Sequence, residues 1–317
     1  MRLIIDGKER KEVEEEKNRN VLAGVLLAVL AALIWSGNYI VARGFHREIS
    51  PVSLAFFRWL TATIILLPVA AKSIRQQWPL LKASWKYLLV AALFGVSLFN
   101  TLIYVGGHTT SATNLAIIGT TAAPVFVLFI AHFFTGEKAT PFQIAGTGLC
   151  LLGILLLISK GDISRLQTFT FLPGDLWVLL AALSFAIYTV LVRKKPKDIA
   201  PLSFLFSTFF MGTILLLPPF LIDSADGLTF QLSPSLVAVF LYLGIGASVI
   251  SFFCWNTAIQ KIGPSRTALF GNLIPVFSTV EAIIFLHEEG GSIVIISLAI
   301  IFSGLFLANL GQVKKRR

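Results

Sequence analysis

Long stretches without any charged residue are the feature of this sequence that most restricts its fold. From Leu88 to Thr121 the chain has no Asp, Glu, Lys or Arg, and the turn-like residues 106–109 are the only interruption. A helix needs about 20 apolar residues to cross the hydrocarbon core of a bilayer. Only 13% of the residues are charged, whereas soluble domains have about a quarter. The sequence therefore predicts an all-α protein that crosses a membrane several times.

Apolar runs and helix breakers divide the sequence into ten predicted membrane-spanning helices. Proline suits the first turn of a helix, because the N–H that it lacks has no intrahelical partner there. Six of the predicted helices begin at or beside a proline, namely Pro51, Pro141, Pro173, Pro201, Pro234 and Pro264. The predicted spans are residues 21–43, 51–71, 86–106, 111–134, 141–159, 174–193, 201–222, 234–260, 264–287 and 292–312.

The basic residues are distributed unevenly between the two sides of these spans. If the N-terminus is cytoplasmic, 21 of the 26 Lys and Arg residues lie on the cytoplasmic side. Membrane proteins keep their Lys and Arg on that side. We therefore predict an inner-membrane protein of bacterial type with both termini in the cytoplasm. The net charge of +10 is accounted for by this topology, and no nucleic-acid partner is expected.

The two halves of the sequence resemble each other. Residues 24–43 match residues 174–193 at seven of 20 positions without a gap, and residues 51–68 match residues 201–218 at eight of 18. Each copy has five predicted helices, an odd number, so the second copy enters the membrane from the opposite side. Inverted repeats of this kind are typical of transporters. The predicted organisation is a tail (1–20), a first repeat (21–159), an external linker (160–173), an inverted second repeat (174–312) and a basic tail (313–317), with a cavity between the repeats.

Pro124 and Pro275 occupy matching places in the middle of predicted helices 4 and 9. A proline inside a helix removes one backbone hydrogen bond, so we expect each to kink its helix. Bent helices at matching places in two repeats tend to border a binding site. The alternative is that both kinks only help the helices to pack.

Polar and aromatic residues inside the spans are candidates for the cavity lining, because polar groups in the bilayer are costly unless they face a cavity or a partner. Trp35, Asn38 and Tyr39 are spaced to share one face of their helix. The predicted lining is Trp35, Asn38, Tyr39, Asn100, Tyr104, Tyr188, Trp255 and Asn272, with Ser97, Ser184, Ser248 and Ser251 as further candidates. The alternatives are that the aromatic residues lie at the membrane interfaces and that the serines join helices, which for the serines is the interpretation we favour.

Two ionisable residues, Arg58 and Glu281, lie inside predicted helices 2 and 9. Each is roughly 10 Å from the same side of the membrane at the rise of an α-helix. A single charge at that depth is costly, so we expect the two to pair, directly or through water, in an outer gate. The alternatives are that each extends separately to the headgroups, or that Glu281 binds a coupling proton or a cationic substrate.

Several of these residues also resemble a known family. The segments that are similar are Trp35-Ser36-Gly37-Asn38-Tyr39, Phe57-Arg58, Pro124-Val125-Phe126, Phe134-Thr135-Gly136-Glu137, Pro275-Val276-Phe277 and Phe285-Leu286-His287-Glu288. Their order resembles the EamA-type branch of the drug/metabolite transporter superfamily, from about residue 21 to residue 312. His287 departs from the glycine that is usual in the family. The resemblance implies ten helices around a central cavity and the transport of amino acids, other metabolites or drugs, often outward.

A secondary transporter of small organic metabolites such as amino acids is therefore the predicted function, and drugs or quaternary amines are the alternative substrates. No zinc-protease, nucleophile-elbow or ATP-binding motif is present, so an enzyme or an ATP-driven pump is not expected. No repeated filter loop favours a channel. No cofactor and no metal are predicted. The lipid bilayer and a small molecule are the expected partners, a proton is a candidate coupling ion, and a homodimer is left open.

Overall fold

The computed structural model describes residues 7–44, 48–110, 112–136, 139–162, 164, 170–228, 230–286 and 291–314. These residues form helices and no strand. We number the long helical segments α1 (Gly7–Gly44), α2 (Pro51–Ala83), α3 (Trp85–Thr109), α4 (Ala112–Thr135), α5 (Pro141–Ser159), α6 (Pro173–Arg193), α7 (Pro201–Asp223), α8 (Pro234–Ile262), α9 (Pro264–Leu269 and Leu273–Leu286) and α10 (Ser292–Lys314).

The helices begin where the sequence places their start signals. The six prolines named above are each the first residue of a helix. The residue before the proline caps the helix in three cases, since Ser50, Thr140 and Ser233 accept a hydrogen bond from a backbone N–H of the first turn. Such capping satisfies donors that the helix itself leaves unpaired.

The predicted all-α membrane fold is confirmed, while the number of ten spans stays a prediction. In the part of the chain that is described, eight helices are long and apolar enough to cross a membrane, and residues Thr121–Thr135 form a shorter apolar helix. Helices α1 and α2 exceed the predicted spans, because α1 begins at Gly7 and α2 continues to Ala83. These extensions contain Lys, Arg, Glu and Gln, which are good helix formers.

Irregular turns occur at matching places in the two halves. Residues Leu93–Leu98 of α3 and Tyr242–Ile250 of α8 form π-helical turns, and the two segments stand about 150 positions apart. Helix α9 is interrupted by the 3-10 turn Phe270–Asn272, shortly before Pro275. Helix α4 continues through Pro124, so how far each proline bends its helix stays a prediction. Irregular turns within helices are frequent at functional sites.

The helix contacts also come in matching pairs. Helix α1 packs on α8 while its sequence equivalent α6 packs on α3, and α2 packs directly on its own equivalent α7. Helix α5 packs on α10 through glycines, since a Cβ added to Gly146 would lie 2.5 Å from the carbonyl oxygen of Gly304. Small residues allow helix backbones to approach closely in membranes. The structure therefore has a central group of helices and a peripheral α5–α10 pair.

Candidate functional site

A cavity of about 270 Å³ lies among α1, α2, α3, α4, α6, α8 and α9. Seven residues singled out in the sequence line it: Trp35, Asn38, Arg58, Asn100, Tyr104, Pro124 and Trp255. They come from five helices, so the cavity wall is assembled only when the helices pack. Concave sites lined by apolar groups with a few polar ones are typical of small-molecule binding.

The cavity extends from one end of the helix bundle to an aromatic cluster in its interior. At the bundle end its wall includes Pro51, at the start of α2, and the exposed residues Gly107 and His108 at the end of α3. At the inner end Trp35 contacts Phe185 and Trp255, with ring centroids 5.6 and 5.0 Å apart.

Further rings extend this aromatic cluster. Phe252 lies with its ring centroid 5.6 Å from that of Trp35 and 5.2 Å from that of Trp59. The Trp35 indole N–H donates a hydrogen bond of 2.8 Å to the carbonyl oxygen of Ala247 and so fixes the ring. Trp35, Phe185 and Trp255 line the inner end of the cavity, and we call these three residues and Phe252, which packs behind them, the aromatic plug.

Arg58 lies in the cavity wall with only 1% of its surface exposed. Its Nε donates to the hydroxyl of Ser248 (2.8 Å), and Nη2 donates to the carbonyl oxygen of Ala247 (3.0 Å). Its Nη1 donates to Asn100 Oδ1 (2.9 Å) and to the hydroxyl oxygen of Tyr104 (3.0 Å). All of these acceptors are neutral.

Two further contacts complete the surroundings of the guanidinium. Asn38 Oδ1 lies 3.5 Å from Nη1, and the guanidinium carbon lies 5.1 Å from the ring centroid of Trp59. The ring attracts the cation weakly through its π face. Helices α1, α2, α3 and α8 thus all contribute to one polar network around Arg58.

Arg58 and Glu281 make no direct contact among the described residues, so their pairing, directly or through water, stays a prediction. Glu281 Oε1 accepts a hydrogen bond of 2.6 Å from the hydroxyl of Ser36, and its Oε2 is buried without a hydrogen-bond partner. Ser36 and Asn38 are two residues apart on α1 and therefore point to different sides of the helix. Glu281 lies on the Ser36 side and Arg58 on the Asn38 side, so α1 separates the two charges.

Three other residues that were predicted to line the cavity are not among its lining residues. Two of them are buried elsewhere, and the side chain of the third is not described. Tyr188 is completely buried, with its hydroxyl 3.0 Å from Asn256 Oδ1. Asn272 is completely buried in the turn that interrupts α9. How the helices pack determines whether these two side chains face the cavity. The sequence pattern alone does not show which polar groups do so. The side chain of Tyr39 is outside the described residues, as are Glu137 and Glu288.

The four serines lie between helices or along their own helix, and none is among the cavity residues. The Ser184 hydroxyl donates to the carbonyl oxygen of Phe94 on α3 (2.7 Å), and the Ser251 hydroxyl donates to that of Gly246 (2.9 Å). Ser97 is buried within α3. Ser248 supports Arg58 from behind the cavity wall.

Several cavity residues were missed in the sequence. Phe185 and Thr189 line the inner part of the cavity, and Gly119, Ala123 and Gly271 form stretches of wall that have no side-chain bulk. The internal repeat contained a signal for Phe185, because it is the equivalent of Trp35 at an offset of 150. No signal in a single sequence distinguishes a small residue in a cavity wall from one that packs two helices.

A family model for the EamA-like transporter family matches the chain twice, at residues 22–159 and 172–310. An uncharacterized transporter of Archaeoglobus fulgidus is 32% identical over 296 residues, which is 90% of this chain and 97% of the relative. A probable terminal-alkyne amino-acid exporter of Streptantibioticus cattleyicolor is 26% identical and covers 91% of this chain and 94% of its own.

Two more proteins are similar along nearly their whole length. Protein PecM of Dickeya dadantii is 24% identical, covering 89% of this chain and 91% of PecM. A solved crystal structure superposes with a TM-score of 0.73 at 20% identity, covering 93% of this chain and 99% of the other. That structure supports the fold alone. Together with the apolar helices, the two family matches identify this chain as an integral membrane protein that belongs to the EamA-like transporter family.

Proposed function

We propose that the protein is a secondary carrier that exports a small organic metabolite, such as an amino acid, by alternating access. The observation that carries the proposal is the cavity of about 270 Å³, which reaches exposed residues at one end of the bundle and is closed at the other by the aromatic plug. A carrier needs one site that opens to one side of the membrane at a time.

The internal repeat supports a mechanism in which two related packings exchange. Trp35 and Phe185 in the plug are equivalent positions of the two halves and contact each other. Trp59 and Phe209 are a second such pair, with ring centroids 4.7 Å apart. Residues that contact their own equivalents lie on the two-fold axis between the proposed repeats. A rocking motion about that axis would open the other end of the cavity.

The distribution of basic residues suggests which way the cavity faces. Placing both termini in the cytoplasm puts the loops α1–α2 and α3–α4 on the outside. The cavity residues Pro51 and His108 belong to that end of the bundle, so this conformation corresponds to the outward-facing state. We place the protein in a plasma membrane of bacterial type.

A proton is the coupling ion that fits Glu281, a half-buried acid whose Oε2 is buried without a hydrogen-bond partner. The Ser36 hydroxyl has one hydrogen, yet its oxygen lies 2.5 Å from the carbonyl oxygen of Leu33 and 2.6 Å from Glu281 Oε1. Both contacts are satisfied when the Glu281 carboxyl itself carries a proton. Buried carboxyls inside membranes often serve in proton relays. We propose that Glu281 carries the coupling proton.

Other functions have less support from the same observations. A channel requires a continuous pathway across the membrane, whereas here the aromatic plug closes the inner end of the cavity. No carboxylate is among the described cavity residues, so a quaternary amine would find aromatic ring faces there but no counter-charge. The name of one relative, the probable terminal-alkyne amino-acid exporter, supports the metabolite class. The family and relatives' names support a transporter over an enzyme.

Counterflow in proteoliposomes tests the proposal. Purified protein is reconstituted, and labelled amino acids, organic acids, amines and nucleosides are screened with and without a pH gradient. We expect saturable counterflow of one class. The variant Phe185→Ala, which removes a ring from the plug, should lose most of it, whereas Phe129→Ala, whose side chain is 66% exposed on the outside of α4, should behave like wild type. Flux that rises without saturation would overturn the carrier.

A further inference from the structure

Arg58 is a buried cation, and the part of the chain that the structure describes places no buried anion beside it. No carboxylate forms an ion pair with it among the described residues, and each of its hydrogen-bond acceptors is a neutral oxygen. An unpaired charge in a membrane interior is costly, and such residues usually mark a substrate or ion pathway. A ligand in the cavity would supply the counter-charge that the described residues do not provide.

The contacts of Arg58 also determine which polar atoms remain for a ligand. Asn100 and Asn38 both direct their side-chain oxygen to the guanidinium, so their amide nitrogens point elsewhere. Asn100 is 1% exposed, and its Nδ2 has no hydrogen-bond partner. Tyr104 uses its hydroxyl oxygen as the acceptor from Arg58, which leaves its own hydrogen available. Since Arg58 occupies the acceptors, the polar part of the wall offers donors.

The guanidinium itself retains donor capacity. Arginine has five N–H groups in a planar fork. Nη2 has two of them, and one acceptor, the carbonyl oxygen of Ala247, is present for this atom. A bound oxygen anion would accept from an Arg58 N–H and the Tyr104 O–H, and a small shift of the Asn100 side chain would add its buried, unpartnered Nδ2 as a third donor. Hydrogen bonds in which one partner is ionised are about twice as strong as those between neutral groups.

The rest of the cavity is apolar and aromatic. Trp35, Phe99, Phe185 and Trp255 supply ring surfaces, and Leu54 and Ile103 supply aliphatic ones. No Asp or Glu is among the described residues that form this wall. The ammonium group of a ligand would contact ring faces but no carboxylate in this wall. Recognition of a ligand therefore does not depend on an amino group.

We propose that the cavity binds an organic carboxylate whose remainder is apolar, with the carboxylate on the donor cluster Arg58, Asn100 and Tyr104 and the apolar part against the aromatic plug. This inference rests on the proposed carrier function and deepens it, because it names the substrate class. A free α-amino group is tolerated without being required. The site takes acids in preference to amines of the same shape.

Three probes of one shape test the recognition directly. Binding of 3-phenylpropanoate, phenylalanine and 2-phenylethylamine to the purified protein is measured by titration calorimetry in nanodiscs. The first has only the carboxylate, the second has both groups and the third has only the amine. We expect the dissociation constants of the acid and the amino acid to lie within about tenfold of each other. The amine should bind at least roughly tenfold more weakly than either, because it lacks the carboxylate and so loses a hydrogen bond to a charged group. Equal or tighter binding of the amine would overturn the proposal, as would no binding of any probe.

The variant Asn100→Asp provides a second test that does not remove the buried arginine. It places a carboxylate 2.9 Å from Arg58 Nη1, where Asn100 Oδ1 now accepts, and so supplies the missing counter-charge from the protein. We expect it to remain folded and to bind 3-phenylpropanoate at least roughly tenfold more weakly. Unchanged affinity in a folded Asn100→Asp variant would contradict the inference.

A matched control exists elsewhere in the chain. Asn309 Oδ1 accepts hydrogen bonds of 3.0 and 2.6 Å from Nε and Nη2 of Arg266, away from the cavity. Asn309→Asp makes the same change beside an arginine and should leave binding unaltered.

If counterflow of another solute is saturable and insensitive to Asn100→Asp, the carrier proposal stands and the carboxylate inference fails. If no solute of any class shows counterflow, the proposed function itself fails.

Discussion

The hydroxyl oxygens of Thr63 and Thr213, which are 150 positions apart in the sequence, lie 3.2 Å from each other in the interior of the bundle. They are equivalent residues of the two halves, on α2 and α7. Each hydroxyl is also within reach of the carbonyl oxygen four residues before it, Trp59 for Thr63 and Phe209 for Thr213. This pair therefore lies on the axis about which the two halves are proposed to move.

Replacing the two threonines tests how much that axis contributes to stability. We expect Thr63→Val and Thr213→Val each to lower the stability slightly, and the coupling between them to be about 0.6 kcal/mol, the average for hydrogen bonds inside membranes. Each single replacement removes the shared contact together with the replaced residue's own bond to its helix backbone, while the remaining hydroxyl keeps its backbone acceptor. Unfolding of both single variants and the double variant, in one detergent, gives the coupling. Strictly additive effects would mean that the hydroxyls do not interact.

Gly95 allows α3 to approach α6. A Cβ at this position would lie 2.2 Å from Cδ2 of Tyr188, whose hydroxyl is held by Asn256. Gly95→Ala should therefore cost about 1–3 kcal/mol, the range for overpacking, and lower Tm. Gly148→Ala on α5 is the control, since nothing lies within 4 Å of its added Cβ. We expect this control to match or slightly exceed the Tm of wild type, because alanine favours helices. A Gly95→Ala protein as stable as the control would show that the ring yields.

Thiol labelling tests which side of the membrane the cavity faces. Both native cysteines, Cys150 and Cys254, are buried and can be replaced by alanine to give a silent background. We expect Ala123→Cys, in the cavity wall, to react with a membrane-impermeant reagent added outside, and a bound substrate to slow the reaction. Ala62→Cys is the matched control, as that residue is fully buried away from the cavity. Labelling of Ala123→Cys only from the cytoplasmic side would reverse the proposed orientation.

Glu281→Gln tests the proposed proton site. The amide cannot release a proton, and its N–H can donate to the Ser36 hydroxyl oxygen, which lies 2.6 Å from Glu281 Oε1 in the native protein. We therefore expect the variant to fold normally and to retain counterflow, which needs no net proton movement, while uptake driven by a pH gradient is lost. Ser36→Ala keeps the acid and should retain part of the gradient response. If Glu281→Gln still accumulates substrate on a pH gradient, the proton is carried elsewhere.

The sequence was most informative about features that repeat or that depend on local chemistry. Pro51 and Pro201 mark helix starts in both halves, and Trp35 with Asn38 marks the helix face that lines the cavity. The sequence was least informative about which neighbouring helix a side chain faces. Glu281 and Arg58 lie at a similar predicted depth, yet they fall on opposite sides of α1. Depth follows from counting residues along a helix, whereas the side that a residue faces depends on how neighbouring helices rotate and pack.

The sequence by itself determined that this chain is a helical membrane protein, where most of its helices begin, and which residues of the two halves correspond. Hydrophobicity, proline chemistry and repetition are properties of short segments, and they act before any tertiary contact forms. Only the tertiary structure decided that Arg58 lies among neutral acceptors, that Asn272 is enclosed and that Phe185 closes the cavity. Those outcomes require α1, α3, α6 and α8 to meet, and residues that are distant in sequence then determine which polar atoms stay unpaired.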